Sequence, residues 1–539
     1  MKVLTILCVF ILLTTAITYA QVKYSSDVQK ISVRKGEKWF GGAVSEGHNM
    51  PFPEGYSVDL YGDNRGNQSA PLLLSTKGRY VWSEKPFKFG FKDNQLIISK
   101  SLGKIMLDSN GHSLREAYKA VSKRFFPATG KLPDTLLFSR PQYNTWIELT
   151  YNQNQADILK YAHAIIDNGF PPGVLMIDDN WADYYGKFSF RKDRFPDARK
   201  MADELHSLGF KVMLWVCPFI SPDTEVFREL ARKRLILFDN ENDSILEWQK
   251  ATKPAIINWW NGYSAVLDFT NPETINWYLA QLESMVSGYG VNGFKFDGGD
   301  MEYYPPTVLS YKKVTPNEQS ELWGTLGTYY PLNEYRAMWK RGGQPLVERL
   351  RDKSHNWEDV QKLIPDMLIA GLLGYQFTCP DMIGGGEFGS FIGRDKLDQD
   401  LVVRSAQISA LMPMMQFSVA PWRVLNPDHL NAVKEAVGIR MKLTSYIIQL
   451  AKESADSGEP IVRSLEYTFP NQGYESIKDQ FMLGSKYMVA PVVEKAYKRK
   501  VIFPKGTWKS DDGKRIEGPI VTEIEVPINR LPVFERIIK

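Results

Sequence analysis

Cysteine, histidine and long apolar runs are scarce in this sequence, and each scarcity argues against a class of protein. The 539 residues include 3 cysteines and 6 histidines. Cys8 lies near the N-terminus, while Cys217 and Cys379 lie inside apolar runs, so we expect two buried free thiols rather than a disulfide framework. The scattered histidines offer no HExxH-type spacing, and the sequence predicts neither a metal site nor a cofactor.

Charge excess and nucleotide-binding motifs are lacking as well. The net charge of +4 is too small for a nucleic-acid-binding surface, and no dense basic run occurs. No GxSxG or Walker sequence is present, so a serine hydrolase or a P-loop enzyme is unsupported. Gly384, Gly386 and Gly389 match GxGxxG formally, but no convincing helix opens directly after them, which argues against a dinucleotide site.

Residues 1–20 have the pattern of a cleavable signal peptide. Lys2 provides the charged start, residues 3–17 are apolar, and Thr18, Tyr19 and Ala20 form a small-residue cleavage site. The apolar run is short for a membrane span, and no later stretch reaches ~18 apolar residues. We therefore expect a secreted or periplasmic protein without a membrane span.

Aromatic side chains are abundant. They make up 13% of the sequence and include 14 Trp and 26 Tyr. Aromatic rings stack on the faces of pyranose sugars, so this composition suits a sugar-binding enzyme, although a large β-rich core would show the same excess.

The spacing of apolar residues divides the mature chain into three parts. Residues 21–134 show short alternating stretches broken by turn residues, which predicts an N-terminal β-sandwich. Residues 135–456 alternate between strand and helix patterns, which predicts a (β/α)8 TIM barrel. Residues 457–539 return to short strands and predict a C-terminal β-sandwich domain.

The barrel prediction depends on a count of strands and helices. Helices are expected at 357–373, at about 428–456, and from the Asn271-Pro272 cap to about 286. The predicted barrel strands lie just before Trp146 and at 173–179, 211–219, 265–269, 294–297, 345–350, 375–381 and 414–418.

The strand that ends at Asp297 carries the clearest chemical pattern. Because the side-chain period of a strand is two, Lys295 and Asp297 face the same way, while Phe294 and Phe296 face the opposite layer. A cation and a carboxylate then project together from a rigid strand end, as they would beside a bound polar substrate. A simple ion pair at a strand end remains the alternative.

Asp178 and Asp179 end another buried strand. Unpaired carboxylates are costly to bury, so both should face a cleft, where they can accept hydrogen bonds from sugar hydroxyls. A helix cap plus a surface acid, or a divalent metal site, would also place acids here. Trp260 precedes a further strand and could stack on a sugar or simply pack in the core.

Cleavage of a glycosidic bond requires a second carboxylic acid near Asp297. Asp352 follows the strand that carries Arg349, and Glu358 and Asp359 follow shortly after. From spacing alone these acids are near equals, and a solvated charge cluster at a helix start remains an alternative for all of them.

Several motifs together resemble glycoside hydrolase family 31 over nearly all of the mature chain. The matching stretches include WWNGYSAVLDFTNPETINWY in the barrel, WEDVQKLIPDMLIAGLLGYQFTCPDMIGGG after the acid loop, and the C-terminal segment that contains VAPVVEKAYKRKVIFPKGTW. Within the family, the motifs FKFD, PDM and MPMMQFSVAPW look like the branch of the myogenesis-regulating glycosidase and the bacterial α-galactosidases.

The resemblance implies roles for the catalytic carboxylates. Asp297 matches the nucleophile. The usual W-x-G-D sequence is absent, but an ungapped count back from Trp357 and Asp381 places the acid/base at Asp352 in preference to Asp359. Ionised Asp297 should then raise the pKa of Asp352, and Lys295 should help to keep Asp297 ionised.

The resemblance also implies the substrate. Related family 27 α-galactosidases carry I-D-D-x-W and K-x-D at the same strand ends, which implies that Asp178, Asp179 and Lys295 bind galactose with Trp260 beside it. Arg349 is a further substrate-binding candidate. The expected protein is a retaining, exo-acting α-galactosidase without a cofactor, which acts on an α-galactoside oligosaccharide or glycoconjugate. An α-N-acetylgalactosaminidase, an α-glucosidase or a non-catalytic sugar-binding protein are the alternatives.

Overall fold

The computed structural model describes residues 27–240, 251–393 and 396–537, in which a (β/α)8 barrel lies between two β-rich parts. This arrangement confirms the predicted fold class. The predicted signal peptide lies outside the described residues. In the described ranges, no helix is long and apolar enough to cross a membrane.

The N-terminal part consists of two antiparallel sheets, as its alternating pattern predicts. One sheet has the order β1-β7-β6-β3, and the other contains β4-β5-β8 with β2 paired to β4. A helix, α1, follows these strands and was not predicted; the side chain of Ser113 caps it. The bounds are β1 (Gln29–Ser32), β2 (Trp39–Ala43), β3 (Ser57–Asp59), β4 (Gln68–Ser75), β5 (Arg79–Trp82), β6 (Lys88–Lys92), β7 (Gln95–Ser99), β8 (Met106–Ser109) and α1 (Leu114–Phe125).

The parallel barrel has eight strands in the order β19-β18-β16-β15-β11-β10-β9-β20. The ring is nearly closed, and the Ile383 amide donates to the Gln416 carbonyl (2.9 Å) between its two end strands. The barrel strands are β9 (Gln142–Asn144), β10 (Val174–Ile177), β11 (Lys211–Val216), β15 (Gly293–Phe296), β16 (Asn333–Tyr335), β18 (Val347–Arg349), β19 (Phe377–Cys379) and β20 (Gln416–Phe417).

The predicted barrel strand at 265–269 is wrong. The nearest observed strand, β14 (Gly262–Val266), pairs with β12 (Phe219–Ile220) and β13 (Ile256–Trp259) in a small antiparallel sheet outside the ring. The strand that completes the eight is β16, which lies between β15 and β18 and which sequence reasoning missed. The short strand β17 (Met338–Trp339) then leaves the barrel and pairs with β4 of the N-terminal part.

The barrel helices begin where the sequence provides caps. The side chains of Asn154, Asp197, Asn271, Asn356 and Asn426 each accept a backbone N–H at a helix start. The helices are α2 (Leu136–Ser139), α3 (Trp146–Leu149), α4 (Gln155–Asp167), α5 (Ala198–Ser207), α6 (Glu225–Lys233), α7 (Pro272–Tyr289), α8 (Pro316–Thr325), α9 (Trp357–Leu372), α10 (Gln399–Ala410), α11 (Pro421–Val424) and α12 (Pro427–Ser457). The predicted helices at 271–286, 357–373 and 428–456 are thus confirmed to within a few residues.

The C-terminal part is β-rich, as predicted, and its strands form one six-stranded antiparallel sheet in the order β21-β22-β23-β26-β24-β25. Its buried face centres on Phe503, Trp508 and Phe534. The elements are β21 (Val462–Arg463), α13 (Leu465–Thr468), β22 (Phe481–Leu483), β23 (Tyr487–Val489), β24 (Lys498–Ser510), β25 (Arg515–Glu525) and β26 (Val533–Ile537).

Cys217 and Cys379 have the environment expected from the sequence. Cys217 and Cys379 are free and buried, and burial raises the pKa of each thiol well above its usual value. They act as small apolar side chains of the barrel.

Candidate active site

A cavity of about 310 Å³ opens at the C-terminal ends of the barrel strands, where the loops of this fold build active sites. Its volume is at the small end of the usual range for small-molecule pockets. The structure brings all of the predicted site residues to the wall of this cavity: Asp178, Asp179, Trp260, Lys295, Asp297, Arg349 and Asp352.

Lys295 and Asp297 share one face of their strand, as the alternation predicts. Both line the cavity, while Phe296 packs on the other side against Trp323 of α8, with ring centroids 5.4 Å apart. The ion pair that Lys295 forms is with Asp178 rather than with Asp297. The Lys295 ammonium donates to Asp178 Oδ2 (2.6 Å). Burial lowers the pKa of Lys295, but the charges of Asp178, Asp297 and Glu334 together outweigh it and the net shift is upward.

Asp297 is held by donors that the sequence did not suggest. The indole N–H of Trp215 on β11 donates to Asp297 Oδ2 (2.7 Å), and the Gly298 amide donates to Oδ1 (2.9 Å). The nearest basic group in an ion pair with it is the Arg336 guanidinium, 3.9 Å from Oδ1. The carboxylate is therefore oriented by neutral N–H groups and lies within reach of one cation.

Asp179 belongs to a hydrogen-bonded group at the neighbouring strand end. Its Oδ2 accepts from the Tyr185 hydroxyl (3.0 Å) and the Asn261 amide (2.7 Å), and Asn261 in turn accepts from the Tyr151 hydroxyl (2.7 Å). Oδ1 has no hydrogen-bond partner in the described ranges. Burial, and then the charge of Asp178, raise the pKa of Asp179 to about 7, so one of the adjacent acids carries a proton over much of the acid range.

Arg349 joins two carboxylates on the opposite side of the cavity. Its Nη1 donates to Asp352 Oδ1 (2.7 Å) and to Asp381 Oδ1 (2.8 Å), and its Nε lies 3.5 Å from Glu334 on β16. Asp381 also accepts from the backbone amides of Lys353 and Gly386. Arg349 thus contacts three carboxylates of the site, those of Asp352, Asp381 and Glu334.

The expected upward shift in the pKa of Asp352 is wrong for this state of the protein. Burial does raise the pKa, but the charges of Arg349, Arg336 and Lys295 outweigh it and hold the pKa near 2. By contrast, burial raises the pKa of Asp381 to about 7, against the charge of Arg349. The positions of Arg349, Arg336 and Lys295 in space decide the sign of the pKa shift of Asp352. The spacing of these residues in the sequence does not reveal those positions.

The alternative acids do not reach the cavity. Asp359 accepts from the Ser354 amide and the Lys362 ammonium at the start of α9. Glu358 is 81% exposed and pairs with Lys362 on the same helix. Of these three acids, Asp352 is therefore the one that lines the cavity together with Asp297.

Trp260 lies at the cavity mouth and is 41% exposed. The Arg336 guanidinium lies 4.6 Å from the centre of its ring, which is a cation–π contact. Trp259 and Tyr303 contact the same ring edge-to-face. The Arg336 guanidinium therefore covers one face of the Trp260 ring.

Sequence reasoning missed several residues that shape the cavity. Asn261 lies in the WWNGYSAVLDFTNPETINWY stretch and Asp381 in the PDM motif, so these two motifs were a signal that could have identified them. Arg336 follows the missed strand β16, and Trp215 and Tyr185 carried no local signal. The residues concerned are Trp146, Tyr151, Tyr185, Trp215, Asn261, Arg336, Asp381, Glu387 and Phe388.

Gly385 lies between Met382 and Glu387, which line the cavity, and Ser418 follows β20. A Cβ on Gly385 would lie 2.5 Å from the Lys353 carbonyl oxygen, so no side chain fits there. Ser418 accepts from the Ile147 amide (2.7 Å) and is fully buried. Neither position presents a group to the cavity.

A (β/α)8 barrel whose strand ends surround a small cavity with carboxylates and aromatic rings is the architecture of a glycoside-cleaving enzyme. No group of three or more His, Cys, Asp or Glu side chains in the described ranges could hold a metal ion.

Comparison with known families agrees with this class. The glycosyl hydrolases family 31 TIM-barrel domain matches residues 137–450, and the family 31 C-terminal domain matches residues 458–537. The chain belongs to glycoside hydrolase family 31.

Similar proteins include the myogenesis-regulating glycosidase of Mus musculus, which is 31% identical over 78% of this chain. An α-xylosidase of Emericella nidulans is 24% identical over 89% of it. The aligned parts are 59% and 62% of those relatives, so the chain spans about three fifths of their length.

Solved structures share the fold. A family 31 dextranase of Flavobacterium johnsoniae superposes with a TM-score of 0.82 at 19% identity, covering 96% of this chain and 68% of the dextranase. A family 31 sulfoquinovosidase of E. rectale superposes with a TM-score of 0.79 at 19% identity, covering 94% and 82%.

Proposed function

We propose that the protein is a retaining, exo-acting α-galactosidase that releases terminal α-linked galactose. The observation that carries this proposal is the position of Asp297 and Asp352 on one cavity, with Lys295, Asp178 and Asp179 beside them. A sugar in this cavity would meet a nucleophile, a proton donor and acceptors for its hydroxyls at once.

The proposed reaction has two displacements. Asp297 attacks the anomeric carbon while Asp352 gives its proton to the glycosidic oxygen, and the bond to the leaving group breaks. Asp352, now ionised, takes a proton from water, and the water oxygen displaces Asp297. Two inversions leave the product in the α configuration, and no cofactor is consumed.

The preference for galactose rests on the acidic strand end. Asp179 Oδ1 is buried and has no hydrogen-bond partner among the described residues, so it can accept a hydrogen bond from a sugar hydroxyl. The Lys295–Asp178 pair beside it supplies both a donor and an acceptor. The family 27 α-galactosidases carry the same residue types at these strand ends. An α-N-acetylgalactosaminide, or the α-glucosides and α-xylosides named for several relatives, are the alternative substrates.

A panel of 4-nitrophenyl α-glycosides tests the proposal. The α-galactoside should have the highest kcat/KM, and NMR should show α-galactose as the first product. A β first product would contradict retention, and a higher kcat/KM for a glucoside, xyloside or N-acetylgalactosaminide would contradict the specificity. Sugar binding without any turnover would favour a non-catalytic protein.

We also propose that the protein is exported through its first 20 residues. Expression of the full chain should yield a secreted or periplasmic enzyme whose N-terminal residue is Gln21. An uncleaved N-terminus in the cytoplasmic fraction would contradict this proposal.

A further inference from the structure

The guanidinium of Arg336 lies in the cavity and has no hydrogen-bond partner among the residues that the structure describes. Its nearest acceptors in ion pairs are Asp300 Oδ1 at 3.5 Å and Asp297 Oδ1 at 3.9 Å, and it covers Trp260 at 4.6 Å. Within the described part of the chain it donates no hydrogen bond, although the side chain is only 20% exposed. An arginine presents five N–H donors in a rigid fork, so this one is arranged for an acceptor that the protein does not supply.

The main chain of Arg336 is firmly held, in contrast to its side-chain donors. The Arg336 carbonyl accepts from the Asn67 amide (2.9 Å) and the Gln68 amide (2.8 Å) of the N-terminal part. Two residues later, β17 pairs with β4. The fork therefore projects from a fixed point.

The order of strands places Arg336 on the side of the leaving group. The nucleophile follows β15 and the proton donor follows β18, and β16 lies between them in the ring. Asp178 and Asp179 follow β10, on the far side of β11. In the proposed reaction, the anomeric carbon lies between Asp297 and Asp352, and the opposite edge of the sugar faces the acidic pair. The leaving group then extends towards the end of β16.

We propose that Arg336 is a specificity-determining residue that binds the leaving group, and that this group is a neutral sugar whose adjacent hydroxyls engage the guanidinium fork. The inference rests on the proposed function and names the aglycone of the same site. The aglycone is neutral because Asp297 and Asp300 contact the guanidinium and Asp352 faces the same region. An anionic aglycone would meet these carboxylates at close range.

The test compares substrates that share galactose and differ in leaving group. The probes are an α-galactosyl hexose disaccharide, the same disaccharide with a uronic acid in place of the hexose, and α-galactosyl fluoride. Arg336→Gln should lower kcat/KM for the neutral disaccharide about tenfold more than for the fluoride, because a charged donor is lost. Arg336→Lys keeps the charge but loses the fork, so it should show the same split.

Equal losses on the disaccharide and the fluoride would overturn the proposal, because Arg336 would then act only on the catalytic carboxylates. Faster turnover of the uronic acid substrate by the wild type would overturn the neutral aglycone. Arg228→Gln, at an exposed arginine paired with Asp223, controls for loss of an arginine and should change neither rate. If the wild type prefers another glycosyl fluoride, the galactose assignment fails, and the same ratio measured with that glycosyl unit still tests Arg336.

Discussion

In the proposed reaction, Asp352 must change its hydrogen-bond partner before it can act as an acid. In the free protein its carboxylate accepts from Arg349, and nearby cations hold its pKa near 2. A proton donor requires a pKa closer to the working pH. A substrate whose hydroxyls take over the Arg349 donors would remove the strongest of these attractions, and the acid would then be formed only in the complex.

Replacement of Asp297 tests the nucleophile assignment. Asp297→Asn should lower kcat about 10⁴-fold or more, because a neutral amide cannot form the glycosyl–enzyme bond. The fold should persist, since the side chain keeps its volume and one of the two donors, the Trp215 indole or the Gly298 amide, can still bond to the remaining oxygen. Stopped assays with the aryl galactoside and a circular dichroism melt measure both effects. Near-full activity would refute the assignment, and Asp223→Asn on the exposed surface is the matched control.

The raised pKa of Asp179 predicts a dependence of stability on pH. Its folded value of about 7 lies above the usual 3.8, so the native state favours the protonated form, and its contribution to stability is lost as pH rises through about 7. Asp179→Asn removes this titration. From pH 5 to pH 8, the free energy of unfolding of the wild type should fall by about 2–3 kcal/mol more than that of the variant.

Urea denaturation of both proteins at the two pH values measures this difference. Parallel changes in wild type and Asp179→Asn would show that the carboxyl is already ionised at pH 5. Asp300, whose pKa burial raises to about 6, is present in both proteins and cancels in the comparison.

The loop after β19 packs against Asp352, the proton donor of the proposed reaction. A Cβ on Gly386 would lie 2.8 Å from Asp352 Oδ1 and 2.7 Å from Asp381 Oδ1, so only glycine leaves room for both carboxyls. The Gly386 carbonyl also accepts from the Trp146 indole (3.1 Å), which ties the loop to the end of β9. The loop therefore has little freedom to retreat.

Gly386→Ala should lower kcat/KM on the aryl galactoside about 10²-fold, because a displacement of about 1 Å at a catalytic group has that effect. Its melting temperature should change little in comparison. Gly389→Ala is the matched control in the same loop. Among the described residues, the Glu387 carboxylate, at 3.3 Å, is the one group that its Cβ would contact. Full activity of Gly386→Ala would show that Asp352 does not need this position.

The strand β16 shows why an element can escape sequence reasoning. It has three residues, Asn333, Glu334 and Tyr335, and its inward side chain is charged. Glu334 accepts from Gln416 (2.7 Å) and faces Arg349 inside the barrel, so the interior is partly polar. The stretch 265–269 has the apolar pattern of a buried strand, and its apolar side chains are indeed buried, but next to the barrel and not in its ring.

At the scale of the whole molecule, the N-terminal part holds the active site together. The Asn67 amide donates to the carbonyls of both Arg336 (2.9 Å) and Arg349 (3.0 Å). It therefore connects the ends of β16 and β18, and Asp352 follows β18. A barrel without this part would lack donors for both carbonyls.

Asn67→Ala should destabilise the protein by about 1–3 kcal/mol, because two buried carbonyls lose a donor, and should lower kcat/KM about tenfold. Urea denaturation and steady-state kinetics measure the two effects. Asn64→Ala is the matched control: Asn64 is equally buried, and its amide makes no hydrogen bond in the described ranges. Equal kinetic effects of the two variants would contradict a positioning role for Asn67.

The sequence by itself determined the three-part architecture and the strand ends that carry chemistry. Helix caps such as Asn271 and the alternation around Asp297 are local features, so spacing alone reveals them. The predicted boundaries at 134/135 and 456/457, the leader and the residue roles stay predictions.

Only the tertiary structure decided how the charged groups pair. Lys295 binds Asp178, which is 117 positions away, and Arg336 and Arg349 together reverse the expected pKa shift of Asp352. The physical reason is that electrostatic energy depends on distance through space and on burial. Neighbouring strand ends in a barrel are close in space but far apart in the chain, so no local pattern encodes their partners.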